Sequence, residues 1–260
     1  MKKITINSIK KKKGKIPITC LTAYSKETAT IIDKYCDIIL VGDSIGMVLY
    51  GMKSTRDISI ETMILHAKTV KNFSKRSLVV CDMPHKTYSN KFDAYNNAKR
   101  IIKLTNCDAV KLEGGKKISN IVKYLTKKKI PVMGHIGLLP QSSNKFKLKG
   151  KNQLDRKKIL EDAICLSNSG VFAVVIECVV ETLARKITNS IPIPTIGIGA
   201  SKFCDGQILV VDDMIGLSSL RPRFVKQYSN IKKIIEKSVK SYCNDVKKRK
   251  FPYYKNIYKS

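Results

Sequence analysis

The 260 residues carry 50 Lys plus Arg against 20 Asp plus Glu, a formal net charge of +30, and 43% of them are hydrophobic. That apolar content is enough for a sizeable core, and no run of about 18 apolar residues points to a membrane span. Lysine is spread over nearly every predicted helix and loop, and its denser runs, Lys10 to Lys13, Lys127 to Lys129 and Lys247 to Lys250, do not interleave with aromatic residues, which argues against specific nucleic-acid binding and for a bias that loads solvated faces.

Residues 1–15, MKKITINSIKKKKGK, are basic and lack the apolar block of roughly 7 to 15 residues found in a secretory signal. A cytoplasmic protein is expected. From there a rhythm sets in: a short apolar run, a loop, a helical pattern, then another apolar run. The runs are ITCLTA (18–23), DIILVG (37–42), LVVCD (78–82), AVKLEG (109–114), PVMGHIG (131–137), AVVIEC (173–178), PTIGIGA (194–200) and QILVVDD (207–213). Each is continuous rather than alternating and rich in β-branched residues, the pattern of strands buried on both faces.

Between the second and third runs, Ile60, Met63, Ile64, Ala67 and Val70 recur at helical spacing, and Leu160, Ala163, Ile164 and Ser167 do so before the sixth. After the eighth, Tyr228, Ile231, Ile235, Val239, Tyr242 and Val246 predict a long C-terminal helix. Strands alternating with helices imply parallel strands joined by right-handed crossovers. Eight of them in a chain of this length predict a single-domain (β/α)₈ TIM-type barrel over residues 1–260, with a basic N-terminal segment and a C-terminal helix and tail from 222 to 260. Only a few residues separate the last two runs, too few for a crossover helix, so the barrel is irregular there or the strand count is off by one. Eight cysteines without C-x-x-C spacing, several inside apolar runs, read as reduced and buried.

In a parallel barrel the C-terminal strand ends share the face on which an active site is assembled. Those ends carry Asp43 and Ser44, Asp82, Lys111 and Glu113, His135, and Glu177. Four carboxylates converging on one mouth repel one another unless one takes a proton or a cation enters. Oxygen ligands without Cys or His spacing favour Mg²⁺ over Zn²⁺. Taken singly, Asp43 also reads as a helix cap, Lys111 with Glu113 as a structural ion pair, His135 as a core histidine and His66 as a surface residue. Glu177 is harder to explain structurally, because it ends the apolar run FAVVI and an unpaired buried carboxylate is costly.

The series LVGDSIGMVLYG, VVCDMP, AVKLEGG, MGHIGLLPQS, VVIECV and IPTIGIGA followed by CDGQILVVDD resembles, in order and spacing from about Cys20 to Phe224, the ketopantoate hydroxymethyltransferase family. The resemblance implies a (β/α)₈ barrel that transfers a one-carbon unit from 5,10-methylenetetrahydrofolate to 3-methyl-2-oxobutanoate, giving 2-dehydropantoate on the route to pantothenate and coenzyme A. It further implies that Asp43 and Asp82 hold Mg²⁺ with Glu113 close to the ion or its waters, that the 2-oxo acid binds at this centre, that Ser44 and Lys111 contact that substrate, and that Glu177 is the catalytic base. His135 would orient substrate or folate, and family members form homo-oligomers, often decamers.

This chemistry suits these residue types. Enolate formation needs positive charge at the keto oxygen, and a carbon base needs a desolvated setting such as the apolar strand leading to Glu177. The sequence departs from the family at Leu139, where Thr is common, at His85, where an aromatic or other apolar residue is usual, and in the shorter, lysine-rich SNKFKLKGKN (143–152), where a lid is expected to behave differently. Alternatives left open by the residues are a folate-independent metal lyase, a Schiff-base aldolase at Lys111 and a basic nucleic-acid-binding protein. The sequence does not place the pterin-contacting residues.

Overall fold

The computed structural model describes residues 2–143, 147–218 and 222–258. Contacts divide the chain into two compact units, Met1–Val210 and Val211–Ser260. The first unit is a closed barrel of eight parallel strands in sequence order, β1 (Ile18–Thr22), β2 (Ile38–Val41), β3 (Leu78–Asp82), β4 (Ala109–Glu113), β5 (Val132–Gly137), β6 (Ala173–Glu177), β7 (Thr195–Ile198) and β8 (Gly206–Leu209), with β1 pairing β8. The helices of this unit are α1 (Ile6–Lys10), α2 (Lys26–Ile32), α3 (Ile45–Val48), α4 (Ile60–Asn72), α5 (Lys91–Thr105), α6 (Ser119–Lys127), α7 (Gln153–Asn168) and α8 (Glu181–Ser190). The second unit holds α9 (Val211–Met214) and α10 (Ile231–Lys247). Among the described residues no helix is long and apolar enough to cross a membrane.

The eight-strand count holds, and the irregularity falls where the short spacing put it: no helix crosses between β7 and β8. The run QILVVDD is not all strand. The strand stops at Leu209, and Asp212 and Asp213 occupy the first turn of α9, where acidic side chains favour the positive end of a helix. The basic N-terminal segment is also more than a tail. Thr5 caps α1, Ile9 is fully buried in the barrel core with Ile18, Ile38, Leu78, Phe172 and Ile208, and Ile4 and Ile6 pack against them. Lys12 pairs with Asp37 at 2.6 Å and Lys13 with Asp205 at 2.9 Å, so this stretch is fastened at the N-terminal ends of β2 and β8 and leaves the opposite face for chemistry.

The cysteines are free: Cys20, Cys36, Cys81, Cys107 and Cys204 are buried, whereas Cys165 and Cys178 are half-buried and Cys243 is exposed. The predicted C-terminal helix is present as α10, with Ile234, Ile235, Val239, Tyr242 and Val246 all exposed.

One carboxylate outside the site fixes the approach to β3. Asp33, after α2, accepts backbone N–H groups from Lys75, Arg76 and Ser77 at 2.9, 3.0 and 2.7 Å. Burial works to raise its pKa, but these three donors outweigh it and hold the carboxyl below its ordinary range. Asp33→Ala would leave the three N–H groups without their acceptor and is expected to cost about 2 to 4 kcal/mol of unfolding free energy. A carboxyl depressed on folding contributes stability above its unfolded value, near 4, and loses it as pH falls through the folded value. The urea midpoint of the variant should therefore drop at pH 7 and approach the parent's at about pH 3; equal midpoints at pH 7 would refute this role.

Candidate active site

The parallel register sets the ends of β2 to β6 side by side, with Asp82 opposite Lys111, Glu113 opposite His135 and Gly137 opposite Glu177. Lys111 and Glu113 are two apart on β4 and so share one face of it. All the strand-end groups named from the sequence except Ser44, which is half-buried, are at most 8% exposed.

Lys111 is the hub. Its Nζ lies 3.1 Å from Asp82 Oδ1, 3.8 Å from Glu113 Oε1 and 3.4 Å from His135 Nδ1. Burial disfavours the ammonium, yet the carboxylates of Asp82, Glu113 and Asp43 outweigh it and hold Lys111 firmly protonated. His135 is the second cation. Its Nδ1 sits 3.1 Å from Glu113 Oε1 and its Nε2 3.3 Å from Glu177 Oε2. Burial again opposes the charge, and Glu113 in particular carries the imidazole up to about 9. With a carboxylate oxygen facing each ring nitrogen, His135 is set to favour the imidazolium and is not an inert core histidine.

The carboxylates are not equivalent. Glu113 is held below its usual range by His135 and Lys111 despite its burial, and its Oε2 accepts the Gln141 backbone N–H at 3.1 Å, so both its oxygens are engaged. Asp82 is pushed up by burial even with Lys111 beside it; its Oδ2 accepts the Asp43 backbone N–H at 3.0 Å. Asp43 is pushed well above the carboxylate range by burial and by the charges of Asp82 and Glu113. Asp82 Oδ1 and His135 Nε2 are fully buried and, beyond these ion contacts, make no hydrogen bond.

These observations test the fit of a metal. Four carboxylates against two cations leave the cluster two negative charges in excess, and burial with the neighbouring Asp82 and Glu113 disfavours the charged form of Asp43 unless a cation sits beside it. No three His, Cys, Asp or Glu side chains among the described residues close into a ready-made cage. That pattern suits Mg²⁺, which commonly takes one or two protein carboxylates and fills its other positions with water and substrate oxygens, and it does not suit structural Zn²⁺. Asp43, with a hydrogen bond to only one of its oxygens among the described residues, fits such an ion most readily, and Asp82 and Glu113, each with both oxygens engaged, would share an oxygen with the ion or with its waters.

Ser44 directly follows Asp43 at the start of α3 and exchanges a 2.8 Å hydrogen bond with Tyr24 OH. A side chain at position 42 would fall 2.9 Å from Ser44 Oγ, so Gly42 leaves the hydroxyl its place beside the carboxylate cluster. Residues outside the strand ends complete the cluster. Gln141, 2% exposed, donates from Nε2 to Asp43 Oδ2 at 2.8 Å and to the Met83 carbonyl at 3.0 Å, and its Oε1 accepts from Tyr88 OH. His66 is half-buried rather than superficial, with Nδ1 2.6 Å from the Tyr24 carbonyl and Nε2 2.8 Å from Tyr50 OH. The lysine-rich segment after Ser143 lies partly outside the described residues, at 144–146.

A profile of the family described as ketopantoate hydroxymethyltransferase matches residues 3–254. The chain is 54% identical over 258 residues to the 3-methyl-2-oxobutanoate hydroxymethyltransferase of Pelagibacter ubique (strain HTCC1062), covering 99% of this chain and 100% of that one. It is 47% identical over 263 residues to the enzyme of the same name from Bartonella tribocorum (strain CIP 105476 / IBS 506), covering 100% and 97%. Among solved structures, a phosphonopyruvate hydrolase superposes with a TM-score of 0.65 at 9% identity, over 100% of this chain and 92% of that one, a likeness of fold alone.

Proposed function

The chain belongs to the ketopantoate hydroxymethyltransferase family, and on that premise we propose that its site removes the C3 proton of 3-methyl-2-oxobutanoate and joins that carbon to the methylene group of 5,10-methylenetetrahydrofolate, giving 2-dehydropantoate for pantothenate synthesis. The observation that carries this reading is the inequality of the four carboxylates. Asp82 and Glu113 are tied to Lys111 and to backbone N–H groups, and Asp43 to Gln141. Glu177, at the end of β6, has His135 as the ion-pair partner of its carboxylate among the described residues, through one oxygen, and is the carboxylate left to take a proton from carbon.

Asp43 and Asp82 would hold Mg²⁺, which when bound supplies Lewis-acid stabilisation of the charge developing on the keto oxygen. Lys111, fixed as an ammonium, brings a second positive charge to the same oxygen or to the substrate carboxylate, and Ser44 donates from the start of α3. Glu113 neutralises Lys111 and His135 and would lie close to the ion's waters. His135 steers Glu177 Oε2 and leaves Oε1 to the substrate.

Glu177 accepts the C3 proton, and the enolate carbon attacks the donor's methylene carbon. One water balances the transfer: a carbon–carbon bond forms, both carbon–nitrogen bonds to the methylene group break, and the new hydroxyl oxygen comes from water. The Schiff-base alternative at Lys111 is disfavoured, because a nucleophilic amine needs a lowered pKa and that of Lys111 is raised by the carboxylates around it.

The test is solvent deuterium exchange at C3 of 3-methyl-2-oxobutanoate, followed by NMR without folate. Exchange is expected with Mg²⁺ and is expected to stop with a chelator; no exchange, or exchange indifferent to the chelator, would sink the reading.

A further inference from the structure

The sequence LPQS after β5 makes a tight turn. The Ser142 N–H donates to the Leu139 carbonyl at 2.9 Å, with Pro140 and Gln141 at the two central positions, and proline suits the first of them. A polar side chain at the tip of such a loop ordinarily faces water. Gln141 is instead 2% exposed. Its backbone N–H donates to Glu113 Oε2 at 3.1 Å, which ties the turn to the end of β4 and aims the side chain into the carboxylate cluster.

The partners of that side chain leave its amide one orientation. Nε2 donates to Asp43 Oδ2 at 2.8 Å and to the Met83 carbonyl at 3.0 Å, while Oε1 accepts from Tyr88 OH. A carbonyl can only accept, so a flipped amide would set oxygen against oxygen at Met83. Tyr88 OH, which also lies 3.4 Å from both the Glu113 N–H and the Glu113 carbonyl, is held in place to keep Oε1 where it is. Gln141 is thus a fixed double donor, and one of its two N–H groups is spent on Asp43. No hydrogen bond engages the other carboxylate oxygen, Asp43 Oδ1, among the described residues.

A carboxylate with one oxygen held by an N–H group and the other open can offer a cation one oxygen, not two. That suits Mg²⁺, which demands an octahedron and completes it with waters and substrate oxygens. Ca²⁺ is larger, takes about six to eight oxygens, and readily engages a carboxylate through both of its own. We propose that Gln141 is a positioning residue for the choice of cation: it keeps Asp43 to one-oxygen binding and thereby favours Mg²⁺ over Ca²⁺. Tyr88 acts behind it, by fixing which end of the amide faces Asp43. This assignment rests on the function proposed above, in that Asp43 holds the ion, and it gives Gln141 no part in proton transfer.

Calorimetric titration of the full-length protein with Mg²⁺ and with Ca²⁺, in the absence of substrate, tests it. Gln141→Met nearly keeps the volume and removes the donor, and Gln141→Glu keeps the stem and puts a further oxygen where the donor was. Each is expected to lower the ratio of the Ca²⁺ to the Mg²⁺ dissociation constant by about tenfold or more, the scale on which groups that orient a metal ligand act. Melting temperatures in chelator identify the folded variants, and either one decides the matter. A residue that only packs would weaken both cations in the same proportion, so a ratio within about twofold of the parent's in a folded variant overturns the proposal. Folate-free C3 exchange by the parent separates the two failures: Mg²⁺-dependent exchange with an unaltered ratio in the variants refutes the role of Gln141 alone, whereas a parent that binds neither cation, or exchanges regardless of chelator, refutes the underlying reading of the site.

Discussion

Replacing Glu177 by Gln is expected to slow C3 deuterium exchange into 3-methyl-2-oxobutanoate by about a thousandfold, within the range by which a positioned base accelerates proton transfer. The amide keeps the size of the side chain and can still meet His135 Nε2, from which Glu177 Oε2 lies 3.3 Å away, so the loss reports the missing base rather than a collapsed wall. Glu177→Asp should fall between the two, because shortening the side chain by one methylene moves the carboxylate by about 1.5 Å, and misplacement on that scale costs up to about a hundredfold. Mg²⁺ affinity, read directly by calorimetry, should change little, since Glu177 is not among the groups that fit the ion. A Glu177→Gln variant that exchanges within threefold of the parent would remove Glu177 from the chemistry. One that loses Mg²⁺ instead would move it into the metal site.

The barrel was legible because strands buried on both faces read as continuous apolar runs, and any polar group that closes such a run stands out. Asp82, Glu113 and Glu177 end their strands in the structure, and Asp43 follows β2 by two residues. Gln141 was not legible as a site residue, although it lies within a quoted motif. It sits in the loop after β5 and reaches Asp43 across 98 positions of sequence, a contact that neither periodicity nor composition encodes. The N-terminal helix was hidden differently: Ile4, Ile6 and Ile9 are the residues that meet the core, but the lysines around them lower the apparent amphipathicity of the whole segment. After the last strand in the sequence, VVDD carries β-branched residues and two acids together, and the helix-favouring position of the acids prevailed over the strand propensity of the valines.

The charge balance of the site makes Lys111→Met the most destabilising of the changes considered. Methionine nearly matches the lysine stem, so packing at this 5% exposed position is conserved, but Asp82 and Glu113 lose the ammonium that lies 3.1 and 3.8 Å away. Breaking a buried ion pair from one side costs about 3 to 5 kcal/mol, because the carboxylates left behind are uncompensated, and a substrate oxyanion would meet one cation fewer, for a fall in kcat/KM of about a thousandfold. The sign with pH follows from the groups that remain. Lys111 itself, raised on folding, contributes a stability that is fully present below its ordinary value near 10.4 and is lost only as pH climbs through the still higher folded value, so the parent does not lose this term between pH 5 and 8. In the variant, Asp82 and Glu113 without their cation favour the protonated form on folding, so the variant regains stability as pH falls. The gap in urea midpoint, measured in chelator, should therefore be widest at pH 8 and narrow toward pH 5. Mg²⁺ should raise the melting temperature of the variant more than that of the parent, because the ion supplies part of the positive charge that the lysine gave. Equal stability of variant and parent at pH 8 would show that Lys111 does not hold the carboxylates together, and an unchanged kcat/KM would remove it from the substrate.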